Sequence, residues 1–491
     1  TEIYTLSLHD ALPIFNYFKY ILLFIKMREN LLFVILIIIA EFYTTNEEIV
    51  FVFEHFRHGA RSSVFIDKEN TDMYDIKWIG DGELTSVGMR MLYLIGVHIR
   101  TKYSNIINSN TSPKELLVYS TDLNRTILSA ESQLLGMFPP VKGQAISQVE
   151  MEDAYPPNKI SQEVQDEIDK LGNISIPSKI RAIPINFFHK EKKPYLLTEE
   201  ADCPRTKYIK LKNYKKKHVQ DFIKEFTDKY ADKLMKYFDI TDKKIFENYY
   251  FLLEVTDHFI SNYIHKRKNL KYFEEIGFNL KEYYEECIKF KNISMYEIET
   301  TKEVGIMAAS PVMRDVIHYM DNIVKLYINK EIQSYKKSRR TTKFVMYSGH
   351  DYILASVQLF LNSVFNTPCF YPGFADNQFF ELHKQEGIDD NNLNENNFYV
   401  QYLYNGKLLL NISYPEFRKK VHRKAWSMDQ IIDFCKVEIY SFIDYLLYFV
   451  LLFSLISITI AMVRENIGEK KKQSSSKNKY PIYKNYQMKD N

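Results

Sequence analysis

Three widely separated segments of this chain share one local grammar: a short apolar, β-rich run, a turn that carries charge, and helical periodicity to follow. The first has its run at 48–53 and then Arg57-His58-Gly59-Ala60-Arg61. The second has a run at 115–119, the turn Ser120-Thr121-Asp122-Leu123-Asn124-Arg125, and a helical pattern over 126–137 that stops before Pro139-Pro140. The third has a run at 343–347, the turn Ser348-Gly349-His350-Asp351, and a helical pattern over 352–361. Short strands alternating with helices predict an α/β fold, a parallel or mixed sheet with helices on both faces. Loops at the carboxyl ends of such strands converge on one crevice. The turns would therefore gather Arg57, His58, Arg61, Arg125, His350 and Asp351 into one pocket. A further helix is predicted over 84–103, capped by Thr85, with Leu84, Val87, Met91, Leu94 and Ile95 on one face.

Those residue types suit phosphoryl transfer. Three guanidinium groups and a histidine can surround a dianionic phosphoryl group and stabilise its transition-state charge. His58, between two arginines, is the natural nucleophile, forming a phosphohistidine that water hydrolyses. An imidazole attacks only while neutral, and its ordinary pKa is about 6.5. Adjacent guanidinium charges lower that value and so permit attack at acidic pH. Asp351 is the candidate proton donor to the leaving alkoxide, which predicts an acidic optimum or a carboxyl pKa raised by substrate. His350 is expected to donate a hydrogen bond to the phosphate, and Gly59 to allow close backbone approach. No cofactor is implied, and the four cysteines lack metal-ligand spacing, so no metal site is expected.

The 491 residues are 46% hydrophobic, enough for a large core and unlike a disordered chain. Net charge is +3, but residues 464–491 hold eight Lys/Arg against three Asp/Glu. That tail is +5 and the remainder −2, which argues against a nucleic-acid partner. Met27-Arg28 precedes an apolar run at 31–40 and polar residues at 44–48, the pattern of a signal peptide over 27–45. Residues 1–26 precede that Met and are expected to be extraneous. A second run, 445–463, carries no charge and is followed by Arg464 and Lys470-Lys471-Lys472. It predicts a transmembrane helix over 442–463, a basic cytoplasmic tail over 464–491, and a lumenal or extracellular portion before them. The expectation is a single-pass type I membrane protein of lysosome, vacuole or cell surface. Cys203, Cys287, Cys369 and Cys435 all fall in that outer portion, which favours two disulfides. Asn110, Asn173, Asn292 and Asn411 begin glycosylation sequons; Asn124 does too, but lies in the pocket segment and is expected to stay unmodified. Over 151–299 the pattern turns helical and rich in Lys and Tyr, an α-helical insertion whose basic run at 207–217 reads as a solvated face.

Arg57-His58-Gly59-Ala60-Arg61 resembles the signature of the histidine acid phosphatases, branch 2 of the histidine phosphatase superfamily. Leu84-Thr85-Ser86-Val87-Gly88, Ser120-Thr121-Asp122-Leu123-Asn124-Arg125-Thr126 and Ser348-Gly349-His350-Asp351 resemble that family's later motifs, in order, so the likeness runs over 49–437. The resemblance implies a phosphoglycerate-mutase-like three-layer core with a mixed, mainly parallel sheet, assembled from 46–150 and 300–438. It implies an α-helical cap over 151–299 and hydrolysis of phosphate monoesters without metal. It also implies His58 as nucleophile, Arg57, Arg61, Arg125 and His350 as phosphate ligands, and Asp351 as proton donor. Cys203, in Asp202-Cys203-Pro204-Arg205, resembles a family cysteine paired near the end of the domain, which implies Cys203–Cys435 and leaves Cys287–Cys369. The single span and basic tail resemble the membrane-bound lysosomal-type acid phosphatases. Two positions depart from the family. Ser63 stands where proline is usual and is expected to loosen the loop, and Met91 replaces a polar residue. A homodimer is left open. The alternatives are an inactive receptor or adhesion ectodomain on the same fold and a phytase-like inositol phosphate phosphatase. Tyr352, where the inositol-polyphosphate enzymes usually have Glu, lends the latter no support.

Overall fold

The structure is a computed structural model that describes residues 47–64, 80–108, 111–138, 146–151, 154, 161–174, 183–187, 203–334, 341–388, 392–436 and 439–467. The expected signal peptide, residues 1–26, Asn110 and the tail beyond 467 lie outside the described residues.

Seven strands form one sheet in the order β3-β2-β4-β1-β5-β6-β7. They are β1 (Glu47–Arg57), β2 (Leu116–Ser120), β3 (Ile185–Phe187), β4 (Phe344–Gly349), β5 (Asn377–Gln385), β6 (Phe398–Tyr404) and β7 (Lys407–Ser413). β3, β2, β4 and β1 pair in parallel, and β5, β6 and β7 continue from β1 by antiparallel pairing. The sheet is mixed, as expected. Arg57 sits opposite Gly349 and Ser120 opposite Ser348, so the three charged turns leave the sheet at one end. β4 is buried along its whole length, which suits an apolar parallel strand covered on both faces.

Alternation along β1 divides the core. Phe51 and Phe53 pack with α9 (Lys302–Ile328) and α10 (Asp351–Phe365) on one face. Val52 and Phe56 pack with α1 (Ser86–Lys102) and α2 (Asn124–Met137) on the other. Thr85 caps α1 as expected, accepting from the Gly88 amide. The expected buried face of α1 needs correction: Gly88, Leu92, Gly96 and Ile99 are buried, whereas Val87 and Leu94 are 37% and 57% exposed. Small residues set the interface. A Cβ on Gly96 would lie 2.0 Å from Gln133 O, and one on Gly136 2.0 Å from Tyr93 O. Met91 is half-buried against the same cluster.

Between the two parts of the sheet come α3 (Gln162–Leu171), α4 (Pro204–Tyr214), α5 (Lys217–Phe238), α6 (Tyr249–Ile264), α7 (Leu270–Glu275), α8 (Leu280–Ile293) and a π-helical turn, Ser294–Glu299. α5 to α8 enclose their own aromatic cluster, including Phe226, Tyr230, Phe259, Phe273, Tyr283 and Phe290. The 151–299 stretch is not purely helical, because β3 pairs in register with β2. Among the described residues the sequon asparagines Asn124, Asn173, Asn292 and Asn411 are all exposed.

After α11 (Tyr414–Lys424) and α12 (Met428–Cys435), Cys435 bonds to Cys203 at the start of α4, closing a separation of 232 residues. The second expected disulfide is corrected: Cys287 and Cys369 are free. Cys287 is enclosed in the aromatic cluster of α5 to α8 beside Tyr283, whereas Cys369 follows α10 and neighbours Tyr296 and Tyr402. An even cysteine count did not make a pair of them.

The last helix, α13 (Ile439–Ile467), belongs to a separate unit that begins at Lys436. Its described side chains run from 446 to 460 and expose large apolar groups such as Leu451, Phe453 and Ile456. Among the described residues no helix is long and apolar enough to cross a membrane, so the transmembrane helix expected over 442–463 is not shown.

Candidate active site

Backbone bonds stitch the three turns together. The His58 amide donates to Gly349 O at 3.0 Å, and the Ala375 amide donates to His58 O at 3.0 Å. The Gly59 amide donates to Ser129 Oγ at 3.1 Å, and Ser129 Oγ donates to Arg125 O at 2.6 Å. Gly59 is needed for a different reason than expected. A Cβ there would lie 2.5 Å from Gly88 O and 2.7 Å from Leu92 Cδ2, so the close approach is to α1 rather than to a ligand.

His58 is buried, and its Nδ1 lies 2.9 Å from Gly59 O. A carbonyl only accepts, so Nδ1 holds the proton and Nε2 keeps its lone pair. Burial, and then the charges of Arg57, His350, Arg61 and Arg125, hold the His58 pKa well below the usual histidine range. His350 caps α10, with Nε2 3.0 Å from Thr121 Oγ1, which is in turn 2.7 Å from Thr126 Oγ1. Burial, reinforced by Arg125, pushes the His350 pKa down to about 3. The two imidazoles stand edge to face with centroids 5.5 Å apart.

The arginines are held differently. Arg57 Nη2 pairs with Asp351 Oδ2 at 2.7 Å, Nη1 donates to Pro372 O at 2.8 Å, and the guanidinium lies 4.4 Å from the Phe374 ring centroid. Arg61 forms a two-pronged pair with Asp257 of α6, at 3.0 and 2.9 Å. Among the described residues Arg125 has no ion-pair partner, and its Nε makes no hydrogen bond. Burial, helped by Arg61, lowers the Arg125 pKa to about 10. Burial alone would raise both carboxyls. Instead Arg61 and Lys291 hold Asp257 well below the usual range, and Arg57 and His350 hold Asp351 below its own. Both are carboxylates.

The loop that carries Ser63 is bonded to the segment that precedes α1. The Ser62 amide donates to Glu83 O, the Glu83 amide to Ser62 Oγ and the Gly82 amide to Ser63 O, at 2.9, 2.9 and 3.0 Å.

All six residues predicted from the turns line one cavity of about 600 Å³. Sequence reasoning missed Asp257 and Lys291, which line it from the helical insertion, as well as Tyr371, Phe374 and Thr121. The one available signal was Asp257-His258, polar residues inside an otherwise mainly apolar helix. Lys210, from the basic run read as solvated, also lines the cavity. Chemically, the site can surround a phosphoryl group with cations and aim a neutral imidazole nitrogen at it.

Comparisons with known proteins bear on this geometry. The family model described as histidine phosphatase superfamily (branch 2) matches residues 39–405. Prostatic acid phosphatase of Bos taurus is 25% identical over 345 residues, covering 70% of this chain and 75% of that protein. Lysosomal acid phosphatase of Xenopus laevis is 35% identical over 109 residues, 22% of this chain and 25% of that protein. Among solved structures, Hafnia alvei phytase in complex with myo-inositol hexakis sulphate superposes with a TM-score of 0.50 at 10% identity, covering 80% of this chain and 99% of the other. That likeness concerns the fold alone.

Proposed function

Because the chain belongs to the histidine phosphatase superfamily, branch 2, we propose that it is an acid phosphatase working through a phosphohistidine on His58. The observation that carries the reading is the neutral His58 imidazole, tied at Nδ1 to Gly59 O, in one cavity with Arg57, Arg61 and Arg125. In the first step Nε2 attacks phosphorus, the N–P bond forms and the ester P–O bond breaks. Asp351 gives its proton to the departing alkoxide oxygen. In the second step water attacks phosphorus, the N–P bond breaks, and the water proton returns to Asp351. Arg57, Arg61, Arg125 and His350 hold the phosphoryl oxygens throughout.

Asp351 must first gain a proton. A phosphate dianion that draws the Arg57 guanidinium toward itself removes the main charge holding Asp351 ionised, so its pKa rises in the complex. Activity should therefore fall as pH rises through that bound-state value. The lowered His58 pKa keeps the nucleophile neutral at acidic pH, so the ordinary histidine value near 6.5 should not limit activity there.

In the same reading the helical insertion over 151–299 is a cap, since α4, α6 and α8 contribute Lys210, Asp257 and Lys291 to the cavity. The core is then 46–150 with 300–438. Residues 442–463 anchor the chain as a type I membrane protein with its catalytic part lumenal or extracellular. Support comes from the Cys203–Cys435 disulfide and the exposed sequons, together with the solvent-facing apolar side chains of α13.

The test is hydrolysis of an aryl phosphate by the full chain in detergent from pH 3 to 8, with His58→Ala as control. Acid-favoured turnover is expected, with a loss of several orders of magnitude in the variant. Equal rates in both proteins would eliminate the phosphohistidine. Turnover in neither would favour the receptor reading.

A further inference from the structure

The cavity is electrically two-ended. Around His58 it holds Arg57, Arg61, Arg125 and Lys291 against Asp257 and Asp351, an excess of two positive charges that matches a phosphate dianion. Lys291 belongs to this end because its Nζ is 4.0 Å from Asp257. The rest of the lining holds Glu247, Glu254 and Glu299, and among the described residues its one further cation is Lys210.

α6 acts as a ruler between the ends. Asp257 marks the phosphate end; Glu254 comes one turn earlier, and Tyr250 and Tyr249 two turns earlier. Eight residues of α-helix separate Tyr249 from Asp257, about 12 Å along the axis. The Tyr249 side chain reaches Glu299, whose Oε1 accepts from Tyr249 Oη at 2.9 Å and from Ser294 Oγ at 3.2 Å. Glu299 is only 7% exposed, lines the cavity and has no cation partner among the described residues. It rides on the π-helical turn Ser294–Glu299, a distortion often found at functional sites. A buried carboxylate held by two hydroxyls, beside tyrosines and without a countercharge, suits a cationic ligand.

We propose that this end receives a positively charged leaving group, so that the preferred substrate is a phosphate monoester with a cationic group about 10 Å from phosphorus. The inference rests on the phosphatase reading above. Inositol polyphosphates are disfavoured on the same ground, because their remaining phosphates would face three carboxylates.

The experiment compares kcat/KM of the full chain for 6-aminohexyl phosphate and hexyl phosphate at pH 5, with an aryl phosphate as reference. The amine is expected to be favoured about tenfold, the factor that corresponds to 1.4 kcal/mol. Glu299→Gln, which can still accept both hydroxyl bonds, should bring the ratio near one. Glu254→Gln, at an exposed position, provides a second variant should the first fail to fold, and is expected to lower the ratio about threefold. The proposal is overturned if wild-type enzyme does not favour the amine, or if the preference survives the substitutions. Turnover of aryl phosphate without a charge preference overturns this proposal alone. Turnover of no ester at all overturns the phosphatase reading with it.

Discussion

At the scale of single residues, the site divides into groups that announce themselves and groups that do not. Arg57, His58, Arg61, Arg125, His350 and Asp351 each lie at or soon after the end of a recognisable strand, so local pattern placed them. Asp257 reaches Arg61 across 196 residues of chain, and no local pattern encodes such a meeting. Its importance is testable. Asp257→Asn leaves a buried guanidinium without its countercharge, which should cost about 3–5 kcal/mol of stability and lower kcat by releasing Arg61 from its fixed orientation. Thermal unfolding with steady-state kinetics on one aryl phosphate checks both, and an unchanged melting temperature would show that the pair carries little. Phe374 and Thr121 escaped notice for the same reason: a ring under Arg57 and a hydroxyl on His350 are ordinary residues until the chain folds.

At the scale of elements, β1, β2 and β4 were legible because each is a short apolar run cut off by a polar turn, whereas the three-residue β3, inside a stretch read as helical, was not. Helix α1 was legible in extent but not in orientation. Large apolar residues suggested one face, whereas Gly88 and Gly96 determined the contact, since only glycine admits backbone atoms so near. A Cβ at 88 would stand 2.1 Å from Ala60 O, and Ala60 lies inside the turn that carries His58. Gly88→Ala is therefore expected to lose about 1–3 kcal/mol and to depress kcat. Gly96→Ala, packed on α2 instead, should lose comparable stability with kcat preserved. Denaturant midpoints and turnover numbers of the two variants separate the effects; identical kinetic losses would refute the assignment of Gly88 to the turn.

At the scale of the whole molecule, the Cys203–Cys435 bond joins the helix that presents Lys210 to the end of the first unit. Removing it by Cys203→Ser with Cys435→Ser should lower stability by about 2–5 kcal/mol, seen as an earlier denaturant midpoint that reductant no longer shifts. A midpoint equal to that of the oxidised wild type would dismiss the bond as a stabiliser. The fate of Cys287 shows the limit of counting, because a thiol enclosed by aromatic rings stays apart from Cys369 however even the total. The sheet order carries one more consequence. β1 leads directly into His58, the proposed nucleophile, and leaves the ribosome early, yet its partner β4 follows about 290 residues later. At roughly 5–20 residues per second, that is a wait of about 15–60 s with an apolar strand unpaired. During synthesis β1 is thus a segment that needs shelter by a chaperone.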